Sequence, residues 1–215
     1  MTEELKAPIL KIEGDALLPK RDATLTFKTE TLAHSGQLLR PLHEDDVALT
    51  KESRPYNFEN PEFMHPISLA QTLIRCMREY GGVGLSAIQI GMPIRVFSIG
   101  FEKENQVFFN PEIIATGVEL AKMKEGCISF PFCAVIVERP THIRARWQNE
   151  EGEVKEGDFS GYTARIFQHE LDHLNGITIR DKISKLTWKL TKQRAAGLYK
   201  RVVREQKKMK QHAKG

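Results

Sequence analysis

The sequence predicts an α+β fold in which antiparallel sheets pack around one central helix, with a further helix at the C-terminus. Three observations carry that expectation. Strand-like segments with alternating side chains follow one another between residues 95 and 148 with no helical repeat between them. A helical stretch at Phe167–Gly176, reading FQHELDHLNG, sets His169, Glu170 and His173 in the pattern HExxH. Residues 184–215 form a basic segment with an apolar stripe at helical spacing.

Length and composition set the frame. A chain of 215 residues with 40% hydrophobic and 28% charged content is expected to form one globular domain over 1–215. No apolar run approaches the roughly 20 residues that span a bilayer. The opening MTEELKAPILKIEG carries early acids in place of a basic export signal. The expected location is therefore the cytoplasm. Three cysteines, Cys76, Cys127 and Cys133, without framework spacing, fit a reducing compartment in which a thiolate stays free.

Met1–Asn60 carries the weakest signals. Ile9–Ile12 and Ala23–Phe27 read as short strands, Pro19, Gly36 and Pro41 as breaks, and His43–Asp46 as a solvated loop. Residues 1–45 have no assigned role. From Pro66 to Tyr80, Ile67, Ala70, Ile74 and Met77 recur at helical spacing until Gly81 and Gly82. Arg95–Ile99 reads as a strand, Gln106–Asn110 as another ended by Pro111, and Cys133–Val137 as a buried one. Ile143, Ala145 and Trp147 then alternate with polar residues up to a turn at Asn149–Gly152. The HExxH helix is expected over Tyr162–Leu174, with Asn175 and Gly176 as its stop. In the tail, Leu186, Leu190, Leu198 and Val202 form the apolar stripe of a long helix interrupted at Gly197. That tail holds eleven Lys and Arg against only Glu205, a net +10 in a chain of +4.

The chemistry is densest at HExxH. Residues four apart on a helix lie on one face, so His169 and His173 can grip one metal ion. Glu170, about 100° further round, can reach a water on that ion without being a ligand. Asp172 could orient a ligand from behind or simply face water, and the second reading is preferred. A catalytic ion ordinarily takes a third protein ligand and keeps one position open. Ile179 stands where a metzincin has its third histidine, and no glutamate occurs between Glu170 and Glu205. The third ligand is therefore expected upstream. Cys76 and Cys133 sit in apolar patterns and read as small buried hydrophobes. Cys127, in EGCIS (Glu125–Ser129), is the candidate, with the same buried reading as its alternative. A third stretch, Gly82–Gly91 (GVGLSAIQIG), offers flexible glycines and the amide of Gln89, or simply a helix stop and a turn.

Taken together and in this order, the three stretches resemble the peptide deformylases, whose signatures are GxGLAAxQ, EGCLS and QHExDHLxG. Here they stand as Gly82–Gln89, Glu125–Ser129 and Gln168–Gly176, with Ser86 in place of alanine and Ile128 in place of leucine. The resemblance runs from about Ile67 to Asp181. It implies that Cys127, His169 and His173 hold one divalent metal, natively Fe2+ with Zn2+ as another occupant. It further implies Glu170 as general base, and the Gln89 amide and Ile128 backbone N–H as donors to the oxyanion. The implied substrate is the N-formyl-methionine end of a nascent polypeptide. Val83 and Gly84 would pair with it like an added strand, and Ile166 and Phe130 would line the methionine pocket.

A basic helical tail is ordinarily a solvated face. The resemblance implies that this one contacts the ribosome near the nascent-chain exit. Without interleaved aromatics the contact would be to RNA backbone, with no specific DNA binding and no membrane partner. Two rival readings use the same residues: a zinc peptidase of the HExxH type, which lacks its downstream ligand here, and a metal-stapled RNA-binding module, which has no use for Glu170 or Gln89.

Overall fold

The computed structural model describes residues 39–101 and 104–212. The strands expected at Ile9–Ile12 and Ala23–Phe27, the breaks at Pro19 and Gly36, and most of the segment 1–45 lie outside the described residues. The described chain begins with a 3-10 turn at Val47–Thr50, capped by the Asp46 carboxylate, which accepts the Ala48 N–H at 2.9 Å. Helix α1 follows at Pro66–Glu79, with its proline at the first turn, where no N–H is needed. Strand β1 (Gly84–Ser86) leads through a 3-10 turn at Ala87–Ile90 into β2 (Val96–Phe101), β3 (Glu104–Thr116), β4 (Leu120–Cys127), β5 (Phe130–Pro140), β6 (His142–Gln148) and β7 (Val154–Ser160). Helix α2 (Gly161–Leu174) and helix α3 (Lys185–His212) complete it. The expected α+β class, with antiparallel sheets around the HExxH helix and a helix at the C-terminus, is what forms.

One sheet has the order β1-β2-β3-β6-β7 and is antiparallel throughout; β4 and β5 form a separate two-stranded hairpin. Side chains on a strand alternate between faces, and in the central strands both faces are apolar. Val96, Val107 and Phe109 join Leu69, Leu73, Cys76 and Met77 of α1. Phe97, Ile99 and Phe108 join Ala164, Ile166, Phe167 and Leu171 of α2. The five-stranded sheet is thus filled between two helices. A third cluster packs Phe130, Cys133, Val135 and Val137 of β5 against Ala195 of α3 and Ile179. Cys76 and Cys133 are buried in these cores, as expected.

Several sequence expectations are corrected. Pro111 does not end β3, because the chain bulges there. The register shifts between Phe109 and Glu112, and Asn110 adopts φ +48°. Asn110 is held in that conformation by its side chain, which accepts the Tyr56 N–H at 2.7 Å and donates to the Tyr56 carbonyl at 3.0 Å and Gln148 Oε1 at 2.7 Å. A proline, which has no N–H to give the ladder, is tolerated at such a bulge. Strands β4 and β7 have no counterpart in the sequence expectation; each carries three charged residues and a glycine, and β7 is a sheet edge, where charge is protective. In α1 the buried face is Leu69, Leu73, Cys76 and Met77, leaving Ile67 half exposed. In α3, Gly197 does not interrupt the helix, and Leu186, Leu190 and Leu198 are exposed. The packed face carries Trp188, Thr191 and Ala195 instead, with the Trp188 ring edge-on to Phe130 at 5.6 Å.

Phe167 is fully buried and its ring lies 5.0–5.2 Å from those of Phe97, Phe108 and Phe159. Truncating it opens a cavity between α2 and the sheet. Phe167→Ala should lower unfolding free energy by about 3–5 kcal/mol in a urea titration.

Candidate metal centre and catalytic site

Helix α2 is the most enclosed of the three α-helices: Ala164–Leu171, His173 and Leu174 are all buried. His169 and His173, one turn apart, place their ring centroids 5.1 Å from each other. The third group comes from the end of β4. The hairpin turns through Ile128 and Ser129, with Cys127 opposite Phe130, and this turn delivers the Cys127 sulfur to within 3.2 Å of His173 Nε2. One ligand atom from each of Cys127, His169 and His173 lies within 4.8 Å of the others. Sequence-distant residues therefore converge as expected, and Cys127 is the least buried of the three.

A thiolate and two imidazoles are a donor set for zinc or ferrous iron. The ring geometry fits that use. The His169 Nδ1 is engaged by Glu125 Oε2 at 3.0 Å, which leaves its other nitrogen for an ion. The buried Nδ1 of His173 has no hydrogen-bond partner among the described residues, while its Nε2 faces the Cys127 sulfur.

Behind the histidines lies a buried ionic network that the sequence did not disclose. Arg139 donates to both Glu125 oxygens, at 2.7 and 2.9 Å, and Arg165 donates to Glu125 Oε1 at 2.7 Å. Arg139 also reaches Asp172 Oδ2 at 2.7 Å, and Lys182 reaches Asp172 Oδ1 at 2.9 Å. Asp172 does not simply face water; it anchors the arginine that holds Glu125. Arg139 had a legible signal: it follows Cys133, Val135 and Val137 at period two, on the buried face of β5. Burial opposes ionisation of Glu125, but hydrogen bonds from His169 and Arg139 outweigh it and hold the carboxyl well below the usual range. For His169 burial likewise opposes the charge, and contacts with Cys127 and Glu125 overcome it to raise the imidazole to about 10. Burial, then the neighbouring His169 charge, pushes His173 down.

Glu170 is buried beside the ligands, and burial pushes its carboxyl up. Its Oε2 accepts from the Ser86 hydroxyl at 2.5 Å. Its Oε1 lies over Gly84, where a Cβ would come within 2.5 Å of that oxygen and 2.8 Å of Ile166 Cγ2. Only a glycine lets strand and carboxylate approach this closely. The Gln89 amide is oriented by the Ser86 N–H, which donates to Oε1 at 2.9 Å; Nε2 is thereby aimed at Cys127 Sγ (3.4 Å) and Ser129 Oγ (3.2 Å). Ile128 packs against Gly82, where a Cβ would meet its Cδ1 at 2.5 Å. The Val83 carbonyl is already engaged by the Gly100 N–H at 2.9 Å. Phe130 stands apart from this group, buried against Trp188 under α3.

Comparison with known proteins bears on the same residues. A family model described as polypeptide deformylase matches residues 41–189. The peptide deformylase of Thermotoga maritima is 39% identical over 139 residues, covering 65% of this chain and 83% of the relative. Its crystal structure superposes with a TM-score of 0.64 at 37% identity, covering 69% of this chain and 99% of that one. A peptide deformylase from Acinetobacter baumannii, solved with Met-Ala-Ser bound, gives a TM-score of 0.65 at 30% identity over 69% of this chain and 100% of that one.

Glu125→Gln removes the counter-charge of two buried arginines while keeping the shape, and should cost about 3–5 kcal/mol of unfolding free energy at pH 7. The folded-state carboxyl titrates below its unfolded value of about 4.3. Its stabilisation is thus complete above that value and lost as pH falls through the folded one. Denaturant titrations should therefore show the gap between parent and variant constant near neutrality and closing only in acid.

Proposed function

The chain belongs to the peptide deformylase family, and from that premise we propose that it removes the formyl group from the N-terminal formyl-methionine of newly made polypeptides, with Glu170 as general base. The observation that carries this reading is the convergence of Cys127, His169 and His173 beside a buried carboxylate and an aimed amide. In the proposed mechanism Cys127, His169 and His173 hold one divalent ion, Fe2+ as the native metal and Zn2+ as an alternative occupant. When bound, such an ion lowers the pKa of a water from 15.7 to about 7 and polarises a carbonyl oxygen.

The remaining work falls to side chains of this chain. Glu170 takes a proton from the attacking water and returns it to the departing amine; its raised pKa suits a group that must do both. Gln89 Nε2 and the Ile128 backbone N–H donate to the oxygen that gains charge. Substrate is proposed to add as a strand beside Gly84, a reading supported by the position of β1 at the edge of its sheet. Ile166, next to Gly84, lines the proposed methionine pocket. Phe130 is not carried into that pocket, because its ring is buried against Trp188. The Met-Ala-Ser peptide of the Acinetobacter baumannii structure begins with methionine, which agrees with a product of this reaction. The peptidase alternative is disfavoured: the downstream position Ile179 is a buried core residue.

Among the described residues no helix is long and apolar enough to cross a membrane. The exposed side of α3 carries Lys189, Arg194, Lys200, Arg201, Arg204 and Lys207. We read this face as the contact with ribosomal RNA backbone that brings the enzyme to nascent chains in the cytoplasm.

Two experiments test the reading. Glu170→Gln, assayed on formyl-Met-Ala-Ser with metal content measured in parallel, should keep its metal and lose deformylation by on the order of 10² to 10⁴; a variant with full activity would refute the assigned base. Co-sedimentation with ribosomes should weaken steeply with salt, and a Lys200→Glu, Arg204→Glu, Lys207→Glu triple variant should bind less, with a shallower salt slope, at unchanged kcat on the short peptide. Binding insensitive to both would contradict the RNA contact.

A further inference from the structure

Ser86 is the residue at which this chain departs from the alanine of the GxGLAAxQ signature. It is wholly buried at the end of the edge strand β1, and its two donors face two different groups. The backbone N–H orients the Gln89 amide. The hydroxyl lies 2.5 Å from Glu170 Oε2 and 3.1 Å from the Glu170 carbonyl oxygen. A hydroxyl has one proton to donate, and the shorter distance directs it to Oε2. No other side chain among the described residues hydrogen-bonds the Glu170 carboxylate. The last torsion of a glutamate is broad and roughly two-fold, so without this contact the two oxygens can exchange places or tilt. With it, Oε2 is held and Oε1 is presented over Gly84.

We propose that Ser86 is a positioning residue for deformylation: its hydroxyl pins one oxygen of Glu170 so that the other faces the space between Gly84 and the Cys127–His169–His173 cluster. The proposal rests on the reading of Glu170 as general base. Alanine fits the position sterically, since Ser86→Ala deletes one atom and leaves the N–H that orients Gln89. The hydroxyl also lies 3.1 Å from the Glu170 carbonyl oxygen and closes a capping box with the Gln89 backbone, and the double variant below separates its action on the carboxylate from these contacts.

The test is a two-by-two set: the parent, Ser86→Ala, Glu170→Gln and the double variant, all metal-loaded and assayed on formyl-Met-Ala-Ser. Ser86→Ala should retain the metal content and unfolding temperature of the parent. Its kcat should fall about tenfold with KM changed by less than about twofold, the split expected when a group acting in the reaction step is loosened. In the Glu170→Gln background the serine substitution should add no further loss, because the base that it positions is gone. An unchanged kcat in Ser86→Ala, a raised KM at constant kcat, or an equal further loss in the double variant would each overturn the role of Ser86 while leaving Glu170 as the base. Full activity in Glu170→Gln alone would instead bring down the base assignment and this proposal with it.

Discussion

One buried carboxylate holds the candidate site together. Glu125 sits on β4 two residues before Cys127, and it bonds His169 and Arg165 of α2 and Arg139 of β5. Through Arg139 and Asp172 the same network returns to α2 a second time. The hairpin that delivers the sulfur and the helix that delivers the imidazoles are thereby clamped to each other by charge-assisted hydrogen bonds. A buried ionic cluster of this kind is a poor source of net stability, since desolvating the charges is costly. Its benefit is geometric: each oxygen of Glu125 has directed partners, and few other arrangements of the two elements would satisfy them.

The rest of the fold supplies the frame around that clamp. The five-stranded sheet packs α1 on one face and α2 on the other, which buries α2 deeply enough that His173 and Glu170 are both pushed toward their neutral forms. Strand β1, at the sheet edge, passes so close to α2 that Gly84 touches the Glu170 carboxylate. The same strand runs into the 3-10 turn that carries Gln89. Amide and edge strand are thus parts of one continuous stretch of chain lying against the helix that carries the base. Helix α3 reaches the site differently, through the contact of Trp188 with Phe130, which directly follows the Ile128–Ser129 turn.

What the sequence makes legible follows from how local each feature is. The two histidines and Glu170 share a single helix, so their spacing alone discloses the grouping. Cys127 comes from a distant hairpin and was singled out by exclusion and by resemblance, because no local pattern says which helix a strand end will meet. The partners of Glu125 and Asp172 are just as distant, and a lone aspartate on a helix gives no sign of the arginine it will find. Arg139 left a signal that was not used: it continues the period-two face of Cys133, Val135 and Val137, which in the fold is buried. In α3 the leucines suggested the wrong face. Leu186 and Leu190 project to the exposed side, while Trp188 and Ala195 pack with β5 and Thr191 is buried on the same side. Strands β4 and β7 were missed because charged residues and a glycine break up their apolar positions, and register with a neighbour, not composition, makes them strands.

The central claim is that one sulfur and two imidazole nitrogens from Cys127, His169 and His173 share a single ion. X-ray absorption at the metal edge of protein loaded with one equivalent of zinc measures this directly. The account requires one sulfur scatterer at about 2.3 Å and two imidazole nitrogens at about 2.0–2.1 Å. A shell of nitrogen and oxygen alone, or a spectrum unchanged by Cys127→Ser, would contradict it.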